Sequence, residues 1–296
     1  MRLLVTGAEG QVGQALLALP VAGAAKGLGR AELDITDRGA IERAIADFAP
    51  TVVINAAAYT AVDAAESDEA GAFAVNAAGA GLLAAAAAEA GAGFVHISTD
   101  YVFDGRLSRP YVESDATGPL NAYGRSKRAG ELAVLDAHPR ASVVRTSWVY
   151  AATGRNFVRT MVALARTRER VQVVTDQRGA PTYAGDLAVA LLGLAQASAR
   201  DEDPRVLHLA GSGAASWFEV AAAIFETLRA RGLKAPVLEG VSAAAWPSPV
   251  QRPQNSMLDC RLASETYGLA LPDWRDALRR CLQEILDDKK PMPGLL

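Results

Sequence analysis

Strand-like and helical patterns alternate along the first half of this 296-residue chain, and no other feature restricts its fold as strongly. Short apolar runs at residues 2–6, 51–55, 93–98 and 142–146 indicate buried strands. Helical patterns separate them at residues 11–19, from the cap Asp37 to about residue 48, and at 67–90 and 123–137. Such alternation is typical of parallel strands joined by right-handed crossovers, so we predict an α/β fold with a doubly wound parallel sheet.

The pattern loosens after residue 146, which indicates a smaller C-terminal α/β lobe. We predict helices at residues 156–167, 185–197, 216–231 and 273–286, and strands at 171–174 and 206–209. A mostly irregular stretch, of the kind that often binds ligands, is marked by Pro236, Pro247, Pro249 and Pro253. We therefore expect residues 1–150 to form the first domain and residues 151–296 mainly the second, with the helix near 185–197 returning to the first.

Composition excludes several classes of protein. Hydrophobic residues make up 50% of the chain and charged residues 21%, which excludes a disordered or fibrous protein. The formal charge of −3 argues against nucleic acid as a partner. The two cysteines, Cys260 and Cys281, are too few for a disulfide framework and favour a reducing compartment, and the three histidines are scattered without metal-ligand spacing. Because the apolar stretch 82–88 is too short to span a bilayer, we expect a cytoplasmic protein.

A glycine motif of the form G-x-x-G-x-x-G directly follows the first predicted strand. It comprises Gly7, Gly10 and Gly13, with Gln11 and Val12 at the start of the next helix. Glycines in a strand–loop–helix unit permit a tight turn and a close approach of the backbone to a diphosphate, which the helix N-terminus attracts. The motif therefore predicts that the first domain is a Rossmann-type dinucleotide-binding domain.

The segment that usually selects the dinucleotide contains a cation and no acid. NAD-selective sites place an acid about 20 residues beyond the glycines, against the ribose 2′-hydroxyl. This zone reads Lys26-Gly27-Leu28-Gly29-Arg30, and the first carboxylate is Glu32. Arg30 could pair with a 2′-phosphate, although a solvated surface arginine is the other interpretation. We predict NADPH as the cofactor, with NADH as a second candidate.

Three polar residues form a candidate carbonyl-reduction site. Tyr123 and Lys127 are four residues apart on one predicted helix, so they share a face. A nearby cation lowers the pKa of a phenol, which moves it toward proton transfer at neutral pH. Thr99 follows the preceding strand, at the edge where open α/β sheets bind their ligands. A hydroxyl, a phenol and an ammonium beside a dinucleotide site predict reduction of a carbonyl group.

These motifs together resemble the extended short-chain dehydrogenase/reductase superfamily. Longer strings narrow the resemblance to the dTDP-4-dehydrorhamnose reductase family, over essentially the whole chain. The strings are Gly10-Gln11-Val12-Gly13, Asn55-Ala56-Ala57-Ala58-Tyr59-Thr60-Ala61-Val62-Asp63, Ser98-Thr99-Asp100-Tyr101-Val102-Phe103, Arg145-Thr146-Ser147-Trp148-Val149-Tyr150 and Arg252-Pro253-Gln254-Asn255-Ser256. The resemblance implies reduction of the C4 ketone of dTDP-4-dehydro-L-rhamnose by NAD(P)H, the last step of dTDP-L-rhamnose synthesis.

The resemblance also implies a role for each matched residue. Tyr123 would protonate the nascent alkoxide, Lys127 would bind the nicotinamide ribose, and Thr99 would hydrogen-bond the carbonyl oxygen. Asp100 and Trp148 match positions that contact the sugar. The remaining cofactor positions are Gly7, Gly10, Gln11, Val12 and Gly13 at the diphosphate, Asp34 and Ile35 at the adenine, and Ala56, Ala57, Ala58 and Thr60 along the cofactor bed.

Two further residues are candidates for binding the substrate on other grounds. A nucleoside diphosphate needs cations, and Arg252 in the proline-rich segment is the best candidate. Asn156 opens a predicted helix, where capping is an equally good interpretation.

Other functions remain open at this point. Nucleotide-sugar epimerases and 4,6-dehydratases share the fold, but the dehydratases carry Thr-Asp-Glu where this chain has Thr99, Asp100 and Tyr101. A non-catalytic regulatory subunit resembling that of methionine adenosyltransferase is a third alternative, because a fold does not determine a function.

We expect no metal site and no metal-bridged dimer. Some members of the family bridge two subunits through three glutamates; the matching positions here are Ala15, Gly185 and Glu284, of which only the last can ligate a hard cation. A monomer is the favoured state.

Overall fold

Six parallel strands form the central sheet of the computed structural model, which describes residues 1–198, 205–245, 248 and 250–287. Pro247 and Pro249 lie outside the described residues. The strands are β1 (Arg2–Thr6), β2 (Ala24–Leu28), β3 (Val52–Asn55), β4 (Gly93–Thr99), β5 (Ala141–Thr146), β6 (Val149–Tyr150), β7 (Arg170–Val174), β8 (Arg178–Gly179), β9 (Thr182–Tyr183), β10 (Arg205–His208), β11 (Ala215–Ser216) and β12 (Val237–Val241). The order in the central sheet is β10-β5-β4-β3-β1-β2. The predicted doubly wound parallel sheet is confirmed.

Helices cover both faces of this sheet. They are α1 (Gln11–Ala18), α2 (Arg38–Phe48), α3 (Val62–Ala65), α4 (Glu69–Phe73), α5 (Ala80–Glu89), α6 (Ala122–Ala137), α7 (Phe157–Thr167), α8 (Ala184–Ser198), α9 (Trp217–Ala230), α10 (Arg261–Tyr267) and α11 (Trp274–Asp287). Leu3 and Val5 of β1 pack toward α1 and α8, whereas Leu4 between them packs toward α2 and α5. Because both faces are buried, the central strands are continuously apolar instead of alternating. Helix α8 and strand β10, from the second half of the chain, are thus part of this layered unit.

The edge strand β2 was not predicted from the sequence. It reads Ala-Ala-Lys-Gly-Leu, and only Leu28 is buried. It carries neither the apolar run nor the β-branched residues that marked the other strands. It pairs with β1 in parallel from Arg2 opposite Ala24 to Thr6 opposite Leu28. The strand is therefore held by its neighbour, a contact that local sequence does not reveal.

The predicted helix at 67–90 contains a π-helical segment. Asp68 caps α4 by accepting a hydrogen bond from the amide of Gly71, and residues Ala74–Gly79 then form π-helical turns before α5. The side chain of Asn76, in this segment, accepts a hydrogen bond from the backbone amide of Tyr59 and donates one to the hydroxyl of Ser126 in α6. Gly130 of α6 passes so close that a Cβ there would lie 1.9 Å from the Asn76 carbonyl oxygen. The π-helical segment therefore packs closely against α6, and its Asn76 side chain also holds the loop at Tyr59.

Residues Glu69–Glu89 are also long and apolar enough to meet the length and composition criteria for a membrane span. In this protein that helix contributes Ala72, Leu83, Ala84 and Ala87 to the packed interior, each fully buried. This helix is therefore apolar because it packs in the layer of helices that covers the sheet.

The second lobe has its own core, formed by α7, α9 and α11. Phe225, Leu282 and Trp274 lie at its centre. Strand β12 pairs in parallel with β7, so residues 237–241, within the stretch predicted to be mostly irregular, form a strand. Helix α10 is also additional to the prediction; it is short and ends at Gly268, which adopts a left-handed conformation.

Candidate active site

The carboxyl ends of β1, β3, β4 and β5 open into a cleft of about 690 Å³. All the predicted site residues except Asn156 and Arg252 line this cleft. They are Gly7, Gly10, Gln11, Val12, Gly13, Arg30, Asp34, Ile35, Ala56, Ala57, Ala58, Thr60, Thr99, Asp100, Tyr123, Lys127 and Trp148. Residues separated by up to 141 positions therefore share one surface at the edge where open α/β sheets bind ligands.

The backbone of the glycine loop packs so closely that two of its residues, Gly7 and Gly13, have no room for a side chain. Gly7 has φ +66°, and a Cβ on it would lie 2.6 Å from the carbonyl of Ala56. A Cβ on Gly13 would lie 2.3 Å from the carbonyl oxygen of Gly7. Gly10 caps α1 without a side-chain acceptor, and no acidic residue lies in the first turn. The amides at this helix end therefore remain available to an anion such as a diphosphate.

Arg30 lines this cleft, and the two acidic residues that follow it in the sequence, Glu32 and Asp34, have hydrogen-bond partners. The nearest acid, Glu32, accepts a hydrogen bond from the amide of Gly29 at 3.0 Å. Asp34 accepts from the amide and the hydroxyl of Thr36, and these bonds, together with the charge of Arg30, lower the pKa of Asp34. Arg30 is thus exposed and lines the cleft, while Glu32 and Asp34 are held by local turns.

Helix α6 brings Tyr123 and Lys127 to the end of β4. Asn121 caps the helix by accepting the amide of Gly124 at 2.8 Å. Burial raises the pKa of Tyr123 to about 12, a hydrogen bond with Thr99 opposes this shift, and the charge of Asp100 adds to it. The expected lowering by Lys127 is not found: the charge of Lys127 is not among the causes of the shift, and burial favours the neutral phenol. Tyr123 is protonated at neutral pH.

Lys127 lies in a fully buried polar chain that the sequence did not predict. Its Nζ donates to the carbonyl of Ile97 at 2.7 Å and lies 3.3 Å from Nε2 of His96. Burial lowers the pKa of Lys127 to about 8, and Glu131 partly offsets that effect. On the other side of the ring, His96 Nδ1 lies 3.0 Å from the side-chain nitrogen Nδ2 of Asn55. The side-chain oxygen Oδ1 of Asn55 accepts a hydrogen bond from the hydroxyl of Thr6. This chain joins the lysine to the residue that precedes the glycine loop.

Two parallel indole rings form part of the cleft wall. Trp148 adopts φ +47° and stacks on Trp217, with ring centroids 3.5 Å apart and planes at 3°. The ring also covers Gly179, where a Cβ would lie 2.4 Å from Trp148 Cε2. Pairing of β11 with β8 places Trp217 beside Gly179, so the wall depends on a contact between distant segments. Trp217 was not among the predicted site residues.

A second cavity, of about 1270 Å³, adjoins the cleft and shares Tyr101 and Trp217 with it. Arg252 lines this cavity and donates to Asp63 at 2.6 Å. Side chains from both lobes contribute to its wall, including Asp104 and Phe157. The structure thus separates Arg252 from the cleft but places it in the adjoining space.

Asn156 is engaged in local hydrogen bonds. Its oxygen accepts the amide of Arg159, which caps α7, and its nitrogen donates to Gln11 at 2.9 Å and to the carbonyl of Ala151 at 2.9 Å. These contacts agree with the capping interpretation, and they also connect Asn156 to α1, the helix that follows the glycine loop. Beside it, the exposed Arg155 lines the cleft and was not predicted.

Comparison with known proteins identifies the family. The family model described as the RmlD substrate binding domain matches residues 1–286. The dTDP-4-dehydrorhamnose reductase of Sinorhizobium fredii is 44% identical over 98% of this chain and 99% of its own length. The chain belongs to the dTDP-4-dehydrorhamnose reductase family. The predicted resemblance is therefore confirmed.

Other members of the dTDP-4-dehydrorhamnose reductase family agree in sequence and in structure. The enzyme of Mycobacterium tuberculosis is 47% identical over 95% of this chain and 92% of its own length. The solved structure of the Bacillus anthracis dTDP-4-dehydrorhamnose reductase in complex with NADP has a TM-score of 0.89 and 36% identity, covering 96% of this chain and 99% of that one. The match therefore spans both lobes.

Proposed function

We propose that this protein reduces the C4 ketone of dTDP-4-dehydro-L-rhamnose to dTDP-L-rhamnose with NADPH, and that NADH can replace NADPH. One observation carries the proposal: the cleft places Thr99, Tyr123 and Lys127 beside a glycine loop at the carboxyl edge of the parallel sheet. A proton donor, a hydroxyl and a lysine next to a dinucleotide-binding loop are the groups that carbonyl reduction requires.

The cleft fits a dinucleotide. The side-chain-free loop at Gly7 and the open end of α1 would hold the diphosphate, while Arg30 would pair with the 2′-phosphate. Asp34 and Ile35 would lie along the adenine, and residues 56–58 with Thr60 would form the bed of the cofactor. The bound nicotinamide supplies the hydride.

The chain supplies the proton. Tyr123 keeps its proton at neutral pH because burial raises its pKa, so the phenol can donate to the alkoxide oxygen that forms at C4. Thr99, hydrogen-bonded with Tyr123, would donate to the same oxygen. Lys127 would hold the nicotinamide ribose. We assign these three residues the catalytic roles.

The substrate would occupy the second cavity and the junction with the cleft. Arg252, at 25% side-chain exposure, would bind the diphosphate of the nucleotide. The sugar would then lie between Asp100 and the ring of Trp148. We assign residues 1–150, with α8 and β10, to the cofactor lobe and the remainder of 151–296 mainly to the substrate lobe. Asn156 we assign to holding the 151–156 loop against α1 rather than to the substrate.

The rival functions require groups in other places. A 4,6-dehydratase needs a carboxylate where this chain has Tyr101, whose pKa burial raises, so that residue cannot act as a base near neutral pH. An epimerase retains its NAD, whereas the cation at Arg30 favours a phosphorylated cofactor that exchanges. A regulatory subunit would not need the three polar residues together.

The test is turnover with stoichiometric analysis. The protein is incubated with excess dTDP-4-dehydro-L-rhamnose and NADPH, and the loss of reduced-nicotinamide absorbance is compared with the sugar product formed. We expect one dTDP-L-rhamnose for each NADPH consumed, through many turnovers. Cofactor binding without turnover would favour the regulatory alternative, and a changed sugar without NADPH consumption would favour an epimerase or a dehydratase.

We further propose a monomer in the cytoplasm that acts without metal. The free thiols of Cys260 and Cys281 suit a reducing compartment. Gly185 lies against the ring of Tyr183, where an added Cβ would approach to 2.6 Å, and the hydroxyl of that ring donates to Glu284. The carboxylate of Glu284 is therefore hydrogen-bonded within its own chain.

A further inference from the structure

Asp100 is a buried carboxyl beside the reacting groups, and one of its oxygens has no partner. The residue is 2% exposed, and Oδ2 makes no hydrogen bond with any residue that the structure describes. Its other oxygen, Oδ1, lies 3.0 Å from Oγ1 of Thr99. Burial raises the pKa of Asp100 to about 7, although the hydroxyls of Ser256 and Thr99 oppose the shift. Both protonation states are therefore populated near neutral pH.

The hydroxyl of Thr99 has one proton, and its direction depends on Asp100. A hydroxyl donates once and accepts twice. Thr99 Oγ1 already accepts the amide of Tyr101 at 3.2 Å. When Asp100 is ionised, its carboxylate accepts the Thr99 proton, and a charged acceptor holds that proton more strongly than a ketone can. When Asp100 is protonated and the phenol of Tyr123 donates to the substrate oxygen, the carboxyl O–H takes the place of the phenol and donates to Oγ1. The Thr99 proton is then free for the substrate oxygen as well.

We propose that Asp100 is a positioning residue whose protonation state decides whether Thr99 donates to the substrate carbonyl or is locked onto the carboxylate. The inference rests on the proposed reduction, in which Thr99 and Tyr123 bind the carbonyl oxygen. Only the protonated carboxyl gives the ketone both donors. Loss of one preorganised donor to a developing oxyanion commonly costs about 10²–10³ in kcat.

The groups around Asp100 determine where this switch titrates. Tyr101 lies on the same turn, Tyr123 faces it from α6, and Ser256 faces it from the segment that follows Arg252. Arg252 hydrogen-bonds with Tyr101 and opposes the rise in the pKa of that phenol. Both phenols are neutral near pH 7, so they do not produce a transition there. The nearest group with a similar pKa is Lys127, at about 8.

The prediction concerns the pH profile of kcat/KM for the reduction. In the wild-type protein, kcat/KM falls by about tenfold for each pH unit above about 7, because Asp100 loses its proton. In Asp100→Asn, the side chain is neutral at every pH and its NH₂ group can donate to Thr99, so the fall begins near pH 8, where Lys127 titrates. Ser256→Ala removes a hydroxyl that lowers the pKa of Asp100, so the fall moves to higher pH. The control is Asp136→Asn, an exposed carboxylate on α6, which leaves the profile in place.

Each outcome bears on one proposal. A transition at the same pH in wild type, Asp100→Asn and Ser256→Ala overturns the role of Asp100. Loss of kcat at every pH in an Asp100→Asn protein that still folds, binds NADPH and keeps the KM for the sugar also overturns it, because the carboxylate itself would then be required; if the KM for the sugar rises, Ser256→Ala decides. If Asp100→Asn does not fold, Ser256→Ala decides. If wild type does not turn over dTDP-4-dehydro-L-rhamnose at any pH, the proposed function fails instead.

Discussion

Arg145 donates two parallel hydrogen bonds to Glu131, from Nε to Oε1 and from a terminal nitrogen to Oε2, each 2.8 Å long. Glu131 is fully buried and also accepts the hydroxyl of Ser98 at 2.7 Å and Arg128 at 2.7 Å. Glu131 lies on α6, one turn beyond Lys127. Its bonds with Arg145 join α6 to β5, and its bond with Ser98 joins α6 to β4. It thus fixes the helix that carries the proton donor against the sheet that carries Thr99.

Breaking this pair should destabilise the fold. Arg145→Met leaves a buried carboxylate without its main partner, and such losses typically cost about 3–5 kcal/mol. Arg145 lowers the pKa of Glu131, so the stabilisation is present above the unfolded pKa and is lost as pH falls through the folded one. Urea unfolding at pH 7 and at lower pH measures both effects.

A matched control lies on the neighbouring surface. Glu69 pairs with Arg125 at 2.9 Å, but both side chains are 40% or more exposed. Glu69→Gln should change the free energy of unfolding by at most about 1 kcal/mol. Equal losses for the buried and the exposed pair would contradict the role assigned to Glu131.

Tyr123→Phe should nearly abolish reduction while NADPH binding stays close to wild type. The ring keeps its packing and only the proton donor is lost, which typically costs about 10²–10⁴-fold in rate. Steady-state turnover and fluorescence titration of NADPH measure the two properties separately. A Phe variant with near-normal turnover would remove Tyr123 from the mechanism, and one that no longer binds NADPH would assign the residue a structural role.

Arg30→Ala should erode the preference for NADPH over NADH, mainly through the KM for NADPH. Arg30 lines the cleft, and its removal leaves Lys26 as the remaining cation of residues 26–30. The ratio of kcat/KM for the two cofactors, measured in wild type and variant, checks this. A wild-type protein equally efficient with both cofactors would contradict it.

Gly179→Ala should raise the KM for the sugar substrate more than the KM for NADPH. The added methyl group would lie 2.4–2.8 Å from the Trp148 ring, which must leave its stack on Trp217. Gly39→Ala is the control, because its methyl group meets only the ends of the Arg43 and Asp37 side chains, at 3.3 and 3.4 Å. If both variants behave alike, the indole wall does not contact the sugar.

The groups recovered from the sequence are those whose position a local pattern determines. Gly7 to Gly13 follow a strand directly, Thr99 ends one, and Tyr123 and Lys127 are one helical turn apart, so spacing alone places them at one edge. Trp217 was missed because the pairing of β11 with β8 brings it to Trp148 across 69 positions. His96 was not among the predicted site residues, since a lone histidine in a strand carries no signal that a lysine from another element will contact it.

Activity should be independent of divalent metal. Ala15 packs in the apolar layer between α1 and α8, Gly185 has no side chain, and Glu284 is hydrogen-bonded to Tyr183. One carboxylate is too few for a hard cation. EDTA should therefore leave turnover unchanged, and light scattering should give the monomer mass with or without Mg²⁺. Activity that disappears with EDTA and returns with Mg²⁺ would contradict the assignment of Ala15 and Gly185.

The most direct test of the reductase assignment follows the hydrogen that is transferred. NADPH carrying deuterium at both C4 positions of the nicotinamide is supplied with dTDP-4-dehydro-L-rhamnose, and the product is examined by mass spectrometry and proton NMR. We predict dTDP-L-rhamnose with one deuterium, located at C4 of the hexose, and the same label at a greatly reduced rate with Tyr123→Phe. An unlabelled product, or deuterium at another carbon, would contradict hydride transfer to the C4 ketone in this cleft.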